Sequence, residues 1–176
     1  LGHNGSGKST LMRMLAAHLS PSKGTITFHN GSHSLAAGDF YRHISYAAPY
    51  IDVIEEFTLQ EALQFHQQFR TFLDNLTVAQ LIEILDFKAA KNKEIRFFSS
   101  GMKQRLKLAL ALCADTSVLL LDEPTSNLDA QGMQWYQELI QEYVRNRLCI
   151  VASNVPEDYH FCTDKLTVTD YKPSQK

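Results

Sequence analysis

Lys8 and Ser9 stand behind three glycines at spacings that suit the holding of phosphate. Gly2, Gly7, Lys8 and Ser9 fill the pattern GxxxxGK(S/T), with Gly5 added between them. Glycine at such places lets consecutive backbone N–H groups turn inward around an anion, because no Cβ blocks positive φ or the close approach of a phosphate. Lys8 would then reach the β- and γ-phosphates, and the Ser9 hydroxyl would ligate Mg²⁺. Ser9 to Leu19 keeps Leu11, Met14, Leu15, Ala17 and Leu19 apolar ahead of Pro21, so a helix is expected there with the loop on its N-terminus. The pattern also asks for a preceding strand, which would lie before Leu1, and the chain is therefore expected to be a fragment that starts inside its nucleotide loop.

A second group is acidic. Val118-Leu-Leu-Leu121 is a short continuous apolar run, as expected of a strand covered on both faces of a parallel sheet, and it ends in Asp122-Glu123. At a strand's carboxyl end Asp122 could bind the same Mg²⁺ as Ser9, directly or through water. Glu123 beside it points elsewhere and could polarise an attacking water as a general base. An ordinary strand-ending turn at Asp-Glu-Pro is the alternative, and the phosphate loop argues against it.

Other residues with chemical potential carry less. His29 and His33 flank a turn with no third ligand in sequence and are read as solvated. Cys113, Cys149 and Cys162 form an odd set without zinc spacing, and are read as reduced thiols of a cytoplasmic protein. Lys103, Arg105 and Lys107 are expected on the wet face of a helix, and Phe65, Phe69 and Phe72 in the core. The 176 residues suffice for one domain with a sizeable core, and a net charge of −2 provides no electrostatic footprint for nucleic acid. No apolar run is long enough to span a bilayer and no leader with a cleavage site is evident, so neither membrane insertion nor secretion is expected.

The elements that must position these groups follow from local pattern. Gly24 to Phe28 alternates as a strand and ends at a turn, His29-Asn-Gly31, and Ile44 to Ala48 reads as a short strand stopped by Pro49. Thr58 with Glu61, and Thr77 with Gln80, are capping-box pairs that open two helices between about Thr58 and Phe87. Lys88 to Lys93 is a basic, polar loop. Ser99 to Leu112 starts with N-cap serines and continues as a helix, Gln131 to Arg145 reads as another, and Leu148 to Ala152 as a buried strand. Alternating strand and helix from Asp115 onward argue for a doubly wound α/β core with ligands at the carboxyl ends of its strands.

Over nearly the whole chain these residues resemble the nucleotide-binding domain of the ATP-binding cassette (ABC) family. Gly2 to Ser9 is similar to its Walker A, Phe98-Ser-Ser-Gly-Met-Lys-Gln-Arg105 to its LSGGQxQR signature, Leu119 to Pro124 to its Walker B with the catalytic glutamate, and Ser126-Asn-Leu-Asp129 to its D-loop. The resemblance implies an α/β P-loop NTPase core with a mostly parallel sheet, residues 1–176 being a single ATPase domain that lacks its N-terminal strands, with a helical subdomain at about 50–115 inserted in the core. It implies ATP and Mg²⁺ as cofactors. Gly2, Asn4, Gly5, Gly7, Lys8, Ser9 and Thr10 would surround the nucleotide, Ser9 and Asp122 would hold the metal, and Glu123 would be catalytic. Ser99, Ser100, Gly101 and Met102 would face the ATP of an opposite subunit in a head-to-tail dimer, with the D-loop Asp129 at the same junction. That partner would be a second copy or a paired ABC ATPase. The resemblance further implies a transmembrane permease, whose coupling helix docks between the core and the Thr58 to Phe87 helices and holds the cassette at the inner face of the membrane.

The chain departs from the family at three places. Pro49 falls where the Mg²⁺-contacting glutamine of the Q-loop belongs, Asn154 stands in the place of the switch histidine and would share the catalytic role with Glu123, and Met102 takes the place of the glutamine that closes the LSGGQ part of the signature. The expected function is an ATP-hydrolysing transporter subunit whose turnover is slow. The alternative is a hydrolysis-impaired ABC-type switch module that regulates a partner. A DNA-repair or translation ATPase has no support, since the chain carries no long coiled-coil insertion, second cassette or basic patch.

Overall fold

Residues 118–122 contain no glycine, proline or lysine, and in the computed structural model they form the middle strand of a parallel sheet. The structure describes residues 1–171 other than Ser32, Ala37 and Asn146. The elements run α1 (Lys8–Leu15), β1 (Phe28–Asn30), β2 (His33–Leu35), β3 (Ile44–Ala47), α2 (Leu59–Phe69), α3 (Val78–Leu85), α4 (Ser100–Leu112), β4 (Val118–Asp122), α5 (Ala130–Tyr143) and β5 (Leu148–Ala152). β1 and β2 make a separate antiparallel hairpin, while β3, β4 and β5 lie in that order, all parallel, with Ala47 opposite Leu121 and Asp122 opposite Ala152. Parallel neighbours need crossovers, here α2 to α4 between β3 and β4, and α5 between β4 and β5.

Successive β4 side chains point to opposite faces. Leu119 and Leu121 enter a large core with α2 to α5, and Leu120 enters a smaller one with Met12 of α1, Ala16 just after it, Phe40, Ile44 and Ala152. The sheet is thereby covered on both sides, and its carboxyl ends gather beside the N-terminus of α1. Both capping boxes are present: the Thr58 and Thr77 hydroxyls accept from the Glu61 and Gln80 N–H groups, whose side chains accept from the threonine N–H groups in return.

Several expectations change. α1 stops at Leu15 instead of Leu19, because Ala17 turns left-handed (φ 58) and a Schellman wrap closes the end, with His18 N–H donating to the Arg13 carbonyl and Ala17 N–H to the Met14 carbonyl. Of the strand expected from Gly24, only Phe28 lies in β1, since the partner strand ends at Leu35, and Asn30 is itself paired with His33 so that the turn begins at Gly31. α5 ends at Tyr143, before Arg145 with its φ of 45. Phe72 is core, but Phe65 and Phe69 are not: α2 buries Leu59, Ala62 and Leu63, and the two phenylalanines meet edge to face with centroids 5.0 Å apart, Phe69 being 72% exposed. Lys88 to Ala90 form a 3₁₀ turn within the expected loop.

The basic residues of α4 do not make a wet face. Lys103 ion-pairs with Glu55, Arg105 donates to the Leu85 carbonyl at 2.7 Å while lying over the Phe87 and Trp135 rings, and Lys107 donates to the Pro49 carbonyl at 2.9 Å. They join α4 to the segments around it. β5 is also less buried than expected, with Leu148 59% exposed. Among the described residues it pairs only with β4, and a cavity of about 500 Å³ lined by Leu11, Met12, Ile150 and Phe161 lies alongside it.

Candidate functional site

The loop before α1 is closed on itself. Ser6 N–H donates to the His3 carbonyl at 3.0 Å, and Gly2, Gly5 and Gly7 all have positive φ. At Gly2, where φ is 146, a Cβ would come within 2.6 Å of the Ser6 Oγ, so any side chain there would be strained and would force Ser6 to shift. Gly7 is the N-cap of α1 and provides no side-chain acceptor, which leaves the amides of the first turn to an outside anion. Lys8 is buried, and its Nζ donates to the Gly2 carbonyl at 2.6 Å and the His3 carbonyl at 3.3 Å, across its own loop. Asn4, Gly5 and Thr10 are exposed and Ser9 is half-buried beside Lys8. The arrangement is a cradle of N–H groups with an ammonium held at its edge.

Asp122 ends β4 and is 1% exposed. Its Oδ2 accepts a hydrogen bond from the Tyr50 hydroxyl at 2.9 Å, and its Oδ1, buried, has no hydrogen-bond partner. A buried carboxylate oxygen without a partner is costly, and a cation is the natural complement. Among the described residues no group of three or more His, Cys, Asp or Glu could hold a metal. Mg²⁺ suits this set nonetheless, because it keeps waters and takes one or two protein oxygens together with substrate phosphates. Burial foremost pushes Tyr50 up to about 12 and Tyr46 higher still, so both phenols stay protonated at neutral pH.

Glu123 leaves the sheet with φ 45, its N–H donating to the Ala152 carbonyl at 2.8 Å, and its side chain is exposed. A left-handed non-glycine residue carries strain of about 1 kcal/mol or more, and here Glu123 is exposed where its neighbour Asp122 is buried. Asn154, two residues past β5, donates from Nδ2 to the Asn4 Oδ1 at 2.9 Å. The end of β5 and the phosphate loop are thus brought together.

The 99–102 segment is elsewhere. Ser99 caps α4 by accepting the Met102 N–H at 3.2 Å, Ser100 is exposed, and Gly101 packs so closely on the Asn127 carbonyl that a Cβ would stand 3.1 Å from it. Met102 is half-buried against the large core. No hydrogen bond among the described residues links 99–102 to the phosphate loop, and Asp129 spends its carboxylate as the N-cap of α5, accepting the Gly132 N–H at 2.8 Å. The three cysteines are free, and burial raises all three thiols, Cys113 and Cys149 to about 12, so none is a ready nucleophile.

Reading the sequence missed Tyr50 and Tyr46, and the engagement of Lys107 and of the buried Gln104, whose side-chain amide donates to the Pro124 carbonyl at 2.7 Å. Gln104 falls within the signature-like segment and Tyr46 lies four residues from Tyr50, but the Tyr50–Asp122, Lys107–Pro49 and Gln104–Pro124 contacts join residues that only the fold brings near.

Comparison with known proteins agrees with this geometry. A family model described as ABC transporter matches residues 1–126. The chain is 27% identical over 171 residues to ATP-binding cassette sub-family A member 17 of Mus musculus, covering 96% of this chain and 10% of that one. It is 30% identical over 141 residues to the uncharacterised ABC transporter ATP-binding protein YcbN of Bacillus subtilis, covering 80% of this chain and 46% of that one. The chain therefore spans less than half the length of these relatives. A solved ABC transporter ATP-binding protein from Pyrococcus furiosus superposes with a TM-score of 0.78 at 20% identity, over 98% of this chain and 84% of that one, and shows the shared α/β P-loop NTPase fold. The chain belongs to the ABC transporter family, as an ATP-binding domain.

Proposed function

We propose that this domain binds and hydrolyses ATP as one of two cassettes that close head-to-tail, driving transport by separate membrane subunits. The observation that carries the reading is the pairing of a glycine cradle on α1 with Asp122, whose one free oxygen lies at the carboxyl end of the central strand. Lys8 leaves the Gly2 and His3 carbonyls for the β- and γ-phosphates, a stronger charge-assisted contact. Ser9 and Asp122 hold Mg²⁺, which when bound neutralises charge on the phosphates. Glu123 accepts a proton from the attacking water, and Asn154 donates an amide N–H toward the γ-phosphate. Ser99 and Gly101, at the N-terminus of α4, offer N–H groups to the ATP of the opposite cassette, with Ser100, Met102 and Asp129 at the same junction. The domain is residues 1–176, with the segment from about 50 to 115 as its helical subdomain.

Transport coupling rests on a cavity of about 370 Å³ between the sheet and α2, lined by Tyr41, Val53, Ile54, Phe57, Phe65 and Arg70. This mostly apolar cleft, with Arg70 and Lys107 as cations and Asp52 as an anion on its wall, suits a short helix of a permease, which would hold the cassette at the cytoplasmic face of a membrane. Among the described residues no helix is long and apolar enough to cross one. The second reading, a slow switch, is favoured by the neutral Asn154 at the γ-phosphate position and by Pro49 in the place of a metal-contacting glutamine.

Glu123→Gln tests the reading. It removes the base and a carboxylate repulsion while sparing the cradle, so ATP with Mg²⁺ should convert the variant to a dimer by light scattering, and Lys8→Ala should abolish both binding and dimer. A Glu123→Gln protein that binds ATP and stays monomeric would refute the head-to-tail arrangement.

A further inference from the structure

We infer that Tyr50 is the positioning residue for the metal-holding carboxylate, its hydroxyl occupying one oxygen of Asp122 so that the other is presented to the cation. The inference rests on the reading of Asp122 as an Mg²⁺ ligand. Pro49 and Tyr50 form the two central positions of a turn closed by Ile51 N–H on the Ala48 carbonyl at 3.2 Å. Proline suits the first of these because its φ is already fixed near the turn value. Lys107 clamps the turn from α4, donating to the Pro49 carbonyl at 2.9 Å and the Ala48 carbonyl at 3.4 Å.

The turn stands at the carboxyl end of β3, next to β4, and from there the Tyr50 hydroxyl reaches Asp122 Oδ2 at 2.9 Å. A phenol has one proton, and this one is committed to the carboxylate. Its oxygen therefore accepts the Tyr46 O–H, and Tyr46, on β3, is itself packed 5.7 Å from the His18 ring. The phenol is held from two sides, and Asp122 is held by the phenol. What remains is Oδ1, buried and without a partner in a residue 1% exposed. A side chain at position 49 that cannot touch a metal and a neighbour at position 50 that orients its ligand form one device. Outer-shell partners of this kind are worth roughly ten- to a hundredfold in metal affinity, and the partial exposure of Tyr50 puts the expectation at the lower end.

The test is calorimetric titration of Mg²⁺ into the ADP-loaded full-length protein, with ADP binding measured separately in EDTA. Tyr50→Phe keeps the ring and removes the hydroxyl. It should raise the Mg²⁺ Kd about tenfold and leave the EDTA value for ADP within about twofold. Tyr46→Phe should move the Mg²⁺ Kd in the same direction by less. Equal Mg²⁺ Kd values for the parent and Tyr50→Phe would overturn the inference alone, as would an equal loss of ADP binding in EDTA. A parent that binds ADP but shows no saturable Mg²⁺, or an Asp122→Asn variant that binds Mg²⁺ like the parent, would overturn the metal reading as well.

Discussion

Asn154→His is the substitution that separates the two functional readings. In the structure the Asn154 amide lies at the carboxyl end of the sheet and donates to Asn4 of the phosphate loop at 2.9 Å, so the side chain at 154 already faces the place where phosphates would lie. A neutral amide makes a hydrogen bond roughly half as strong as a charge-assisted one. If the γ-phosphate gains its charge-assisted partner only as charge develops in the transition state, the difference is about 1.4 to 2 kcal/mol, or roughly ten- to thirtyfold in kcat. The substitution also breaks an exposed neutral contact to Asn4, worth about 0.5 to 1 kcal/mol, so ATP affinity should change by less than about fivefold. The assay is steady-state hydrolysis at saturating Mg-ATP, with kcat and KM followed as a function of pH. The variant should be faster in kcat with a nearly unchanged KM, and its rate should acquire a dependence on an imidazole titrating near its ordinary value of about 6.5. A rate equal to or below the parent's would refute the reasoning: it would mean that the Asn4–Asn154 pair is itself the working arrangement and that water is positioned by another route.

Two further expectations concern stability. His66, half-buried and stacked on Phe72, is held down to about 4 by burial foremost and then by Arg70, so the folded state excludes a proton that the unfolded chain takes up near 6.5. Its contribution is complete above about pH 6.5 and is lost as pH falls toward 4, by about 2 kcal/mol between pH 7 and pH 5; urea midpoints at the two pH values should show a drop that His66→Phe removes, and an unchanged drop would sink the assignment. The half-buried Arg147 donates to the Leu112 carbonyl at 2.6 Å, the Ala114 carbonyl at 2.9 Å and the Tyr143 carbonyl, tying the ends of α4 and α5 together. Arg147→Met should cost about 2 to 4 kcal/mol by urea unfolding, and Arg147→Lys should recover less than half of that because an ammonium has no fork; a loss under about 1 kcal/mol would show the carbonyls satisfied otherwise.

What was legible in the sequence was whatever is decided within a few residues. The capping boxes at Thr58 and Thr77 close over three positions, the α4 cap closes from Ser99 to Met102, and the apolar run of β4 announces a strand buried on both faces. The phosphate loop belongs to the same class, since its φ angles depend on glycines inside it and its closing bond spans His3 to Ser6. The ends of elements were read less well, because a left-handed Ala17 or Arg145 stops a helix without a glycine to mark it. The exposure of Phe65 and Phe69, and the engagement of Lys103, Arg105 and Lys107, depend on which neighbour the topology sets beside each face, and period alone is silent on that. The site itself was settled at the longest range. Tyr50 meets Asp122 across 72 positions because β3 and β4 are parallel neighbours whose carboxyl ends coincide, and Asn4 meets Asn154 across 150 because α1 packs against the face of the sheet that β4 and β5 share. Spacing in the chain names the groups that can do chemistry, while their partners are chosen by strand order, which the tertiary structure alone decides.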